Sequence, residues 1–203
     1  MTPHLPIVGI GASAGGVEAL EAFFRAMPAD NGMGFVIVTH LPPDRDSLLA
    51  EIIGRASHMP VVNARDGQLV EAQHVYVLPP GATLTIAAGR LRLRHIAAAN
   101  RERTPIDVFF TSLAEDQGER AIGIVLSGGG SDGTLGLKTI KENGGLTVAQ
   151  GTNLTRPRFA DMPGNAVAAG FVDLVLPVED IPDRIPALSA IGALSMRNVR
   201  KTR

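Results

Sequence analysis

Short apolar runs rich in β-branched residues alternate along this chain with segments whose apolar positions recur every three or four residues. Ile7-Val8-Gly9-Ile10-Gly11 and Phe35-Val36-Ile37-Val38-Thr39 have no charged interruption, the pattern of strands buried on both faces. Between them Val17, Leu20, Phe23, Phe24 and Met27 keep helical spacing up to the stop at Pro28. Residues 46–56 predict a helix with Leu48, Leu49, Ile52 and Ile53 on one face and Asp44 or Asp46 placed to cap it, followed by a short strand at Val61-Val62. The texture changes between Gln68 and Arg94, where short runs at 75–78, 83–86 and 91–93 and a turn at Ala88-Gly89 read as an antiparallel hairpin insertion at one edge or end of the main sheet.

Pro105 opens a further helix through Ile106, Val108, Phe109, Leu113 and Ala114. The parallel pattern then resumes with a strand at 121–126, a glycine-rich turn, a helix at 134–143 and a strand at 146–149. A loop over 150–164, a short helix at 164–169, a strand at 172–176 and a helix at 179–194, irregular at Pro182 and Pro186, complete the pattern. Alternation on this scale predicts an α/β fold: a doubly wound, mostly parallel sheet with helices on both faces, whose sites lie beyond the carboxyl ends of its strands.

Composition narrows the partners more than the fold. At 203 residues one domain over 1–196 with a basic tail or linker at 197–203 is expected. A formal net charge of −1 gives no general pull toward nucleic acid or membrane, and no apolar run approaches the ~20 residues of a spanning helix. The chain has no cysteine, hence neither disulfides nor thiolate chemistry, and no leader is expected before the first strand, so the cytoplasm is the expected compartment.

Chemistry concentrates in the turn after the first strand. Gly11-Ala12-Ser13-Ala14-Gly15 fits the G-x-S-x-G elbow, in which small neighbours let a serine hydroxyl stand clear of the sheet. Two other readings share the stretch: Gly9-x-Gly11-x-x-Ala14 loosely fits a dinucleotide fingerprint, and Ser13 could cap the helix that follows. A dinucleotide loop needs an acidic residue at the end of the second strand, where this chain has Thr39-His40, and no G-K-[ST] follows either glycine-rich turn. No cofactor is expected.

A nucleophilic serine needs a base and a carboxylate to orient it. His40 after the second strand and Asp132 after the strand at 121–126 suit those roles, although alone each also fits a structural histidine or a helix cap. His58 closes a helix rather than following a strand, and His4, His74 and His95 lie in the terminus and the hairpin region. No spacing suggests a metal site. The order serine, histidine, acid differs from the serine, acid, histidine of α/β hydrolases, so the expected scaffold is a different doubly wound fold.

Ile10-Gly11-Ala12-Ser13-Ala14-Gly15-Gly16, Thr39-His40-Leu41-Pro42, Leu126-Ser127-Gly128-Gly129-Gly130-Ser131-Asp132-Gly133 and Met162-Pro163 together resemble the catalytic domain of the CheB chemotaxis protein-glutamate methylesterases. The likeness spans nearly the whole chain and is closest to the version fused to a methyltransferase. It implies Ser13 as nucleophile, His40 as base, Asp132 as orienting acid, an oxyanion site from the backbone N–H groups of Ala14 and Gly129, and substrate contact at Met162 and Pro163. The implied partners are methylated cytoplasmic helices of chemoreceptors or related receptors, with a methyltransferase or histidine kinase domain in a larger protein. The implied reaction is hydrolysis of glutamyl methyl esters, with glutamine deamidation beside it. A competing expectation is a silent module that only binds such helices. Three positions depart from the family pattern: Ala14 replaces Thr, Gly129 replaces Met, and Asp161 replaces the Gly before Met-Pro. The family's receiver domain is expected to be absent here.

Overall fold

The computed structural model describes residues 5–39, 48–95, 104–151 and 157–185. Seven strands form one parallel sheet: β1 (Ile7–Ala12), β2 (Gly34–Thr39), β3 (Val61–Asn63), β4 (Val75–Val77), β7 (Ala121–Val125), β8 (Leu146–Gln150) and β9 (Leu174–Leu176). Their spatial order is β3-β4-β2-β1-β7-β8-β9, so β1 is the central strand. All pairings are parallel, with Ile10 opposite Ile37 on one side and Ile124 on the other. The expected doubly wound architecture is therefore present. It follows from the all-buried runs: β1, β2 and β7 have no exposed position, as strands covered on both faces must.

Two apolar layers cover the sheet. On one face α1 (Gly16–Ala26) and α2 (Leu49–Ala56) pack Leu20, Phe23, Phe24 and Ile53 against Val8, Ile10, Phe35 and Ile124, joined by Val178, Ile181 and Ile185. On the other, α3 (Pro105–Gln117), α4 (Thr134–Glu142) and α5 (Asp161–Ala168) bury Phe109, Phe110, Leu137 and Ala166. The rings of Phe23, Phe24 and Phe35 meet edge to face at 5.0–6.2 Å, the arrangement that aromatic quadrupoles favour.

Several expectations change. The run at 75–78 belongs to the main sheet as parallel β4, between β3 and β2. Only β5 (Ala82–Ala87) and β6 (Arg90–His95) make the antiparallel hairpin, and they form a separate two-stranded sheet rather than an extension of the edge of the main one. Its inner residues Leu84, Ile86 and Leu91 join the α3 layer, and Asp116 of α3 accepts the N–H groups of Ala88 and Gly89 at the hairpin turn. Three short apolar runs look alike in sequence. What separates them is the long-range partner each finds. Leu48 and Val17 stand at the surface instead of on buried helix faces, Leu48 at 58% exposure. The short helix begins earlier than expected, at Asp161, so Met162 and Pro163 lie in its first turn and not in a loop. His4, His40, Leu41, Pro42, Asp44, Asp46, residues 186–194 of the expected last helix and the basic tail lie outside the described residues.

Candidate active site

Because β2, β1 and β7 are adjacent and parallel, the segments that follow them leave the sheet at one edge. Ser13 follows β1, and the turn from Leu126 to Gly133 follows β7. Thr39 closes β2 opposite Ala12, and His40 lies outside the described residues.

The two glycine-rich turns are tied together through their backbones. Leu126 N–H donates to the Gly11 carbonyl at 2.9 Å, and Ser13 N–H donates to the Ser127 carbonyl at 3.0 Å. A Cβ placed on Gly128 would lie 3.1 Å from Cβ of Ser13, so the turns are in van der Waals contact and leave no room for a side chain between them. Ser127, 1% exposed, is the knot: its Oγ donates to the Ala14 carbonyl at 3.1 Å and accepts the Phe159 N–H at 3.0 Å, while its own N–H donates to Gln150 Oε1 at 2.9 Å.

Ser13 is half-buried, and its hydroxyl makes no hydrogen bond with a described residue. The capping alternative fails, because the N-cap of α1 is Gly15, in the left-handed region at φ 69°, with no side-chain cap bond. The dinucleotide alternative fails on what its glycines do. Gly9 and Gly11 lie inside β1, and a Cβ there would come within 2.9 Å of Phe110 and 2.5 Å of Ile106. These glycines admit α3 against the sheet instead of opening a turn to a phosphate.

Peptide geometry fixes two outward-facing amides. In a trans peptide the C=O and the next N–H point in opposite directions. The Ser13 carbonyl accepts the Gly16 N–H at 2.8 Å, so the Ala14 N–H faces away from the helix start. The Gly128 carbonyl accepts the Met162 N–H at 2.9 Å, so the Gly129 N–H faces away from α5. Neither amide donates to a described residue. The structure places Met162 beneath this turn: it is fully buried, with its thioether against the Gly128 backbone, and Pro163 is buried beside it. Met162 thereby packs under the loop. Asp161 is exposed at the start of α5.

Asp132 is 6% exposed and serves a helix other than its own. Its Oδ2 accepts the Ile106 N–H at 3.0 Å and its Oδ1 the Asp107 N–H at 2.9 Å, both in the first turn of α3. The helix that follows it, α4, starts from Gly133 at φ 92° without a side-chain cap. The helix-cap role that Asp132 also fits in sequence is realised at α3. A Cβ on Gly133 would also lie 2.9 Å from Ile106, so only glycine allows the chain to turn there and keep α3 close. Sequence reasoning passed over Asp107, Gln150 and the side-chain role of Ser127. Asp107 carried one usable signal, an acidic residue in a first helical turn after Pro105. Among the described residues no cluster of histidine and acidic side chains could hold a metal ion, and no helix is long and apolar enough to cross a membrane.

Fold and site together define a doubly wound α/β protein with a serine elbow at the carboxyl end of its central strand. Residues 8–185 match the family model described as CheB methylesterase. A Xanthomonas campestris pv. campestris protein named protein-glutamate methylesterase/protein-glutamine glutaminase 1 is 37% identical over 188 residues, covering 91% of this chain and 52% of the relative. A Moorella thermoacetica protein named protein-glutamate methylesterase/protein-glutamine glutaminase is 36% identical over 199 residues, covering 92% and 45% respectively. The solved structure of the Thermotoga maritima CheB methylesterase catalytic domain superposes with a TM-score of 0.80 at 27% identity, over 91% of this chain and 98% of that one. The chain belongs to the CheB methylesterase family. It spans about half the length of the curated relatives it matches.

Proposed function

We propose that this chain hydrolyses methyl esters of glutamate side chains on chemoreceptor-type helices, releasing methanol, with Ser13 as nucleophile, His40 as base and Asp132 as the acid that orients it. Ser13 Oγ attacks the ester carbonyl carbon as His40 takes its proton. The carbonyl oxygen becomes an oxyanion between the Ala14 and Gly129 amides. Collapse breaks the bond to the methoxy oxygen, which leaves with the His40 proton as methanol, and water then cleaves the acyl-serine by the same steps. Glutamine deamidation follows the same path with ammonia as leaving group.

The observation that supports this reading is the pair of pinned peptides beside Ser13, whose two N–H groups donate to no described residue and are held in place ahead of reaction. The Gly129 and Ala14 departures keep that function, since backbone amides supply it. The silent-module alternative has no such use for them. Two measurements test the proposal. A fluorophosphonate is expected to label Ser13, and Ser13→Ala is expected to cut methanol release from methylated receptor by several powers of ten while the protein stays folded. Undiminished release from Ser13→Ala overturns the assignment.

A further inference from the structure

The starts of α3 and α4 are each capped by a carboxylate from the other helix or its entry turn. Asp132, just before α4, accepts the Ile106 and Asp107 N–H groups of α3 at 3.0 and 2.9 Å. Asp107, in the first turn of α3, returns the contact: its Oδ1 accepts the Gly136 N–H of α4 at 2.8 Å. The first N–H groups of a helix have no partner within it, and neither helix supplies a side-chain cap from its own N-cap residue, Thr104 or Gly133. The two acids therefore close a loop of bonds in which each fixes the backbone that carries the other. Gly136 allows the approach, because a Cβ there would collide with Phe110 and crowd the Asp107 backbone.

We infer that Asp107 is a positioning residue for Asp132: through the Gly136 N–H it holds the start of α4, and with it the short Asp132-Gly133 segment, so that the Asp132 carboxylate keeps its place at the site. The inference rests on the hydrolase reading above. Asp107 touches no reacting atom and acts only through the clamp. Its working feature is an acceptor oxygen at Oδ1, which asparagine also provides.

The test compares Asp107→Ala and Asp107→Asn with wild type, using methylated receptor and reading kcat, KM and the pH at half-maximal kcat. Asp107→Ala is expected to lower kcat by about ten- to a hundredfold, the scale of a small misplacement of a positioned group, with KM little changed. Its half-maximal pH is expected to fall, because a displaced Asp132 stabilises the imidazolium of the base less. Asp107→Asn is expected to restore both. An unchanged half-maximal pH in a folded Asp107→Ala, or an Asp107→Asn as impaired as Asp107→Ala, overturns the inference. If Asp107→Ala does not fold, amide exchange of the wild-type protein decides: the clamp requires Ile106, Asp107 and Gly136 to share one protection factor, and independent values overturn it. A wild-type chain that neither releases methanol nor takes the fluorophosphonate label refutes the hydrolase reading instead, and the exchange result then judges the clamp alone.

Discussion

The N–H of Ser13 is bonded to the carbonyl of Ser127, so the serine of the first turn hangs on the backbone of the second. Ser127 also spends its own hydroxyl on Ala14 and Phe159. Ser127→Ala keeps the backbone bond and removes the acceptor of the part-buried Phe159 N–H. A loss of about 0.5–1.5 kcal/mol is expected from that lost bond, together with slower ester hydrolysis as the Ala14 peptide loosens. Thermal melting and initial rates on one preparation measure both, and wild-type values for both would contradict the role given to this hydroxyl.

Asp132→Asn separates capping from catalysis. Asparagine is ordinarily as good a cap as aspartate, but here both carboxylate oxygens are occupied, and an amide retains only one acceptor. We expect a loss of about 1 kcal/mol, or about 2–4 °C in Tm, and, on the proposed triad, a fall in activity of at least ~10², since an amide would not stabilise the imidazolium. Near-normal hydrolysis would leave Asp132 as a cap alone.

Gly11→Ala probes the seat of α3. The new methyl group would meet Ile106 Cγ2 at 2.5 Å, and overpacking of this kind costs about 1–3 kcal/mol. Because Ile106 N–H is one of the two donors to Asp132, activity is expected to drop with stability. Ile106→Ala in the same chain opens the space, so the double variant should be more stable than the sum of the single losses by about 1 kcal/mol or more. Strict additivity in denaturant titrations would show that the two sites do not press on each other.

The rate itself should follow pH. With His40 as the proposed base, it must be neutral to take the Ser13 proton, so kcat/KM is expected to rise through one ionisation near the ordinary histidine value of about 6.5. A flat profile from about pH 5 to 9, with folding and binding constant, would exclude a histidine base.

Stability depends on pH through two acids of opposite sign. Burial raises Asp173, but the Lys141 ammonium and the Thr147 O–H and N–H outweigh it and hold the carboxyl below its usual range. Its folded value lies under the unfolded one, so its stabilisation is complete above about pH 4 and is lost as pH falls through the folded value. Burial pushes Asp107 up, against the bonds from Gly136, Gly133 and Leu135. Its contribution is therefore largest below about pH 4 and is lost as pH rises through its folded value. Asp173→Asn should lower Tm at pH 7, with the gap closing below about pH 4, whereas Asp107→Asn should not lower Tm at pH 7. Melting curves from about pH 3 to 8 check both signs.

The sheet was legible because β1, β2 and β7 are apolar throughout, which only a strand covered on both faces can be. The tight strand-to-helix turn that carries Ser13 was legible because small residues crowd it on both sides. The membership of β4 was not, since a three-residue strand owes its place to β2 and β3 rather than to its own pattern. Nor were the contacts of Asp132 and Asp107 with each other's helices, because a cap supplied from some twenty-five residues away leaves no local spacing to read. Met162 illustrates the same limit: its neighbour in sequence is a proline at a helix start, but its partner in space is the carbonyl of Gly128.

The place of β1 at the centre of the sheet also governs how the chain must assemble. Ile7 pairs with Gly34 nearby and with Ala121 far along the sequence, so one flank of the strand that leads to Ser13 closes early and the other only after the hairpin and α3 have been made. Loop closure over such a span is entropically expensive, and sheets built from remote parallel pairs form slowly. During synthesis the serine turn is therefore left without the scaffold of its second half until β7 has left the ribosome, and the bond that ties Ser13 to Ser127 should be among the last contacts of folding to form.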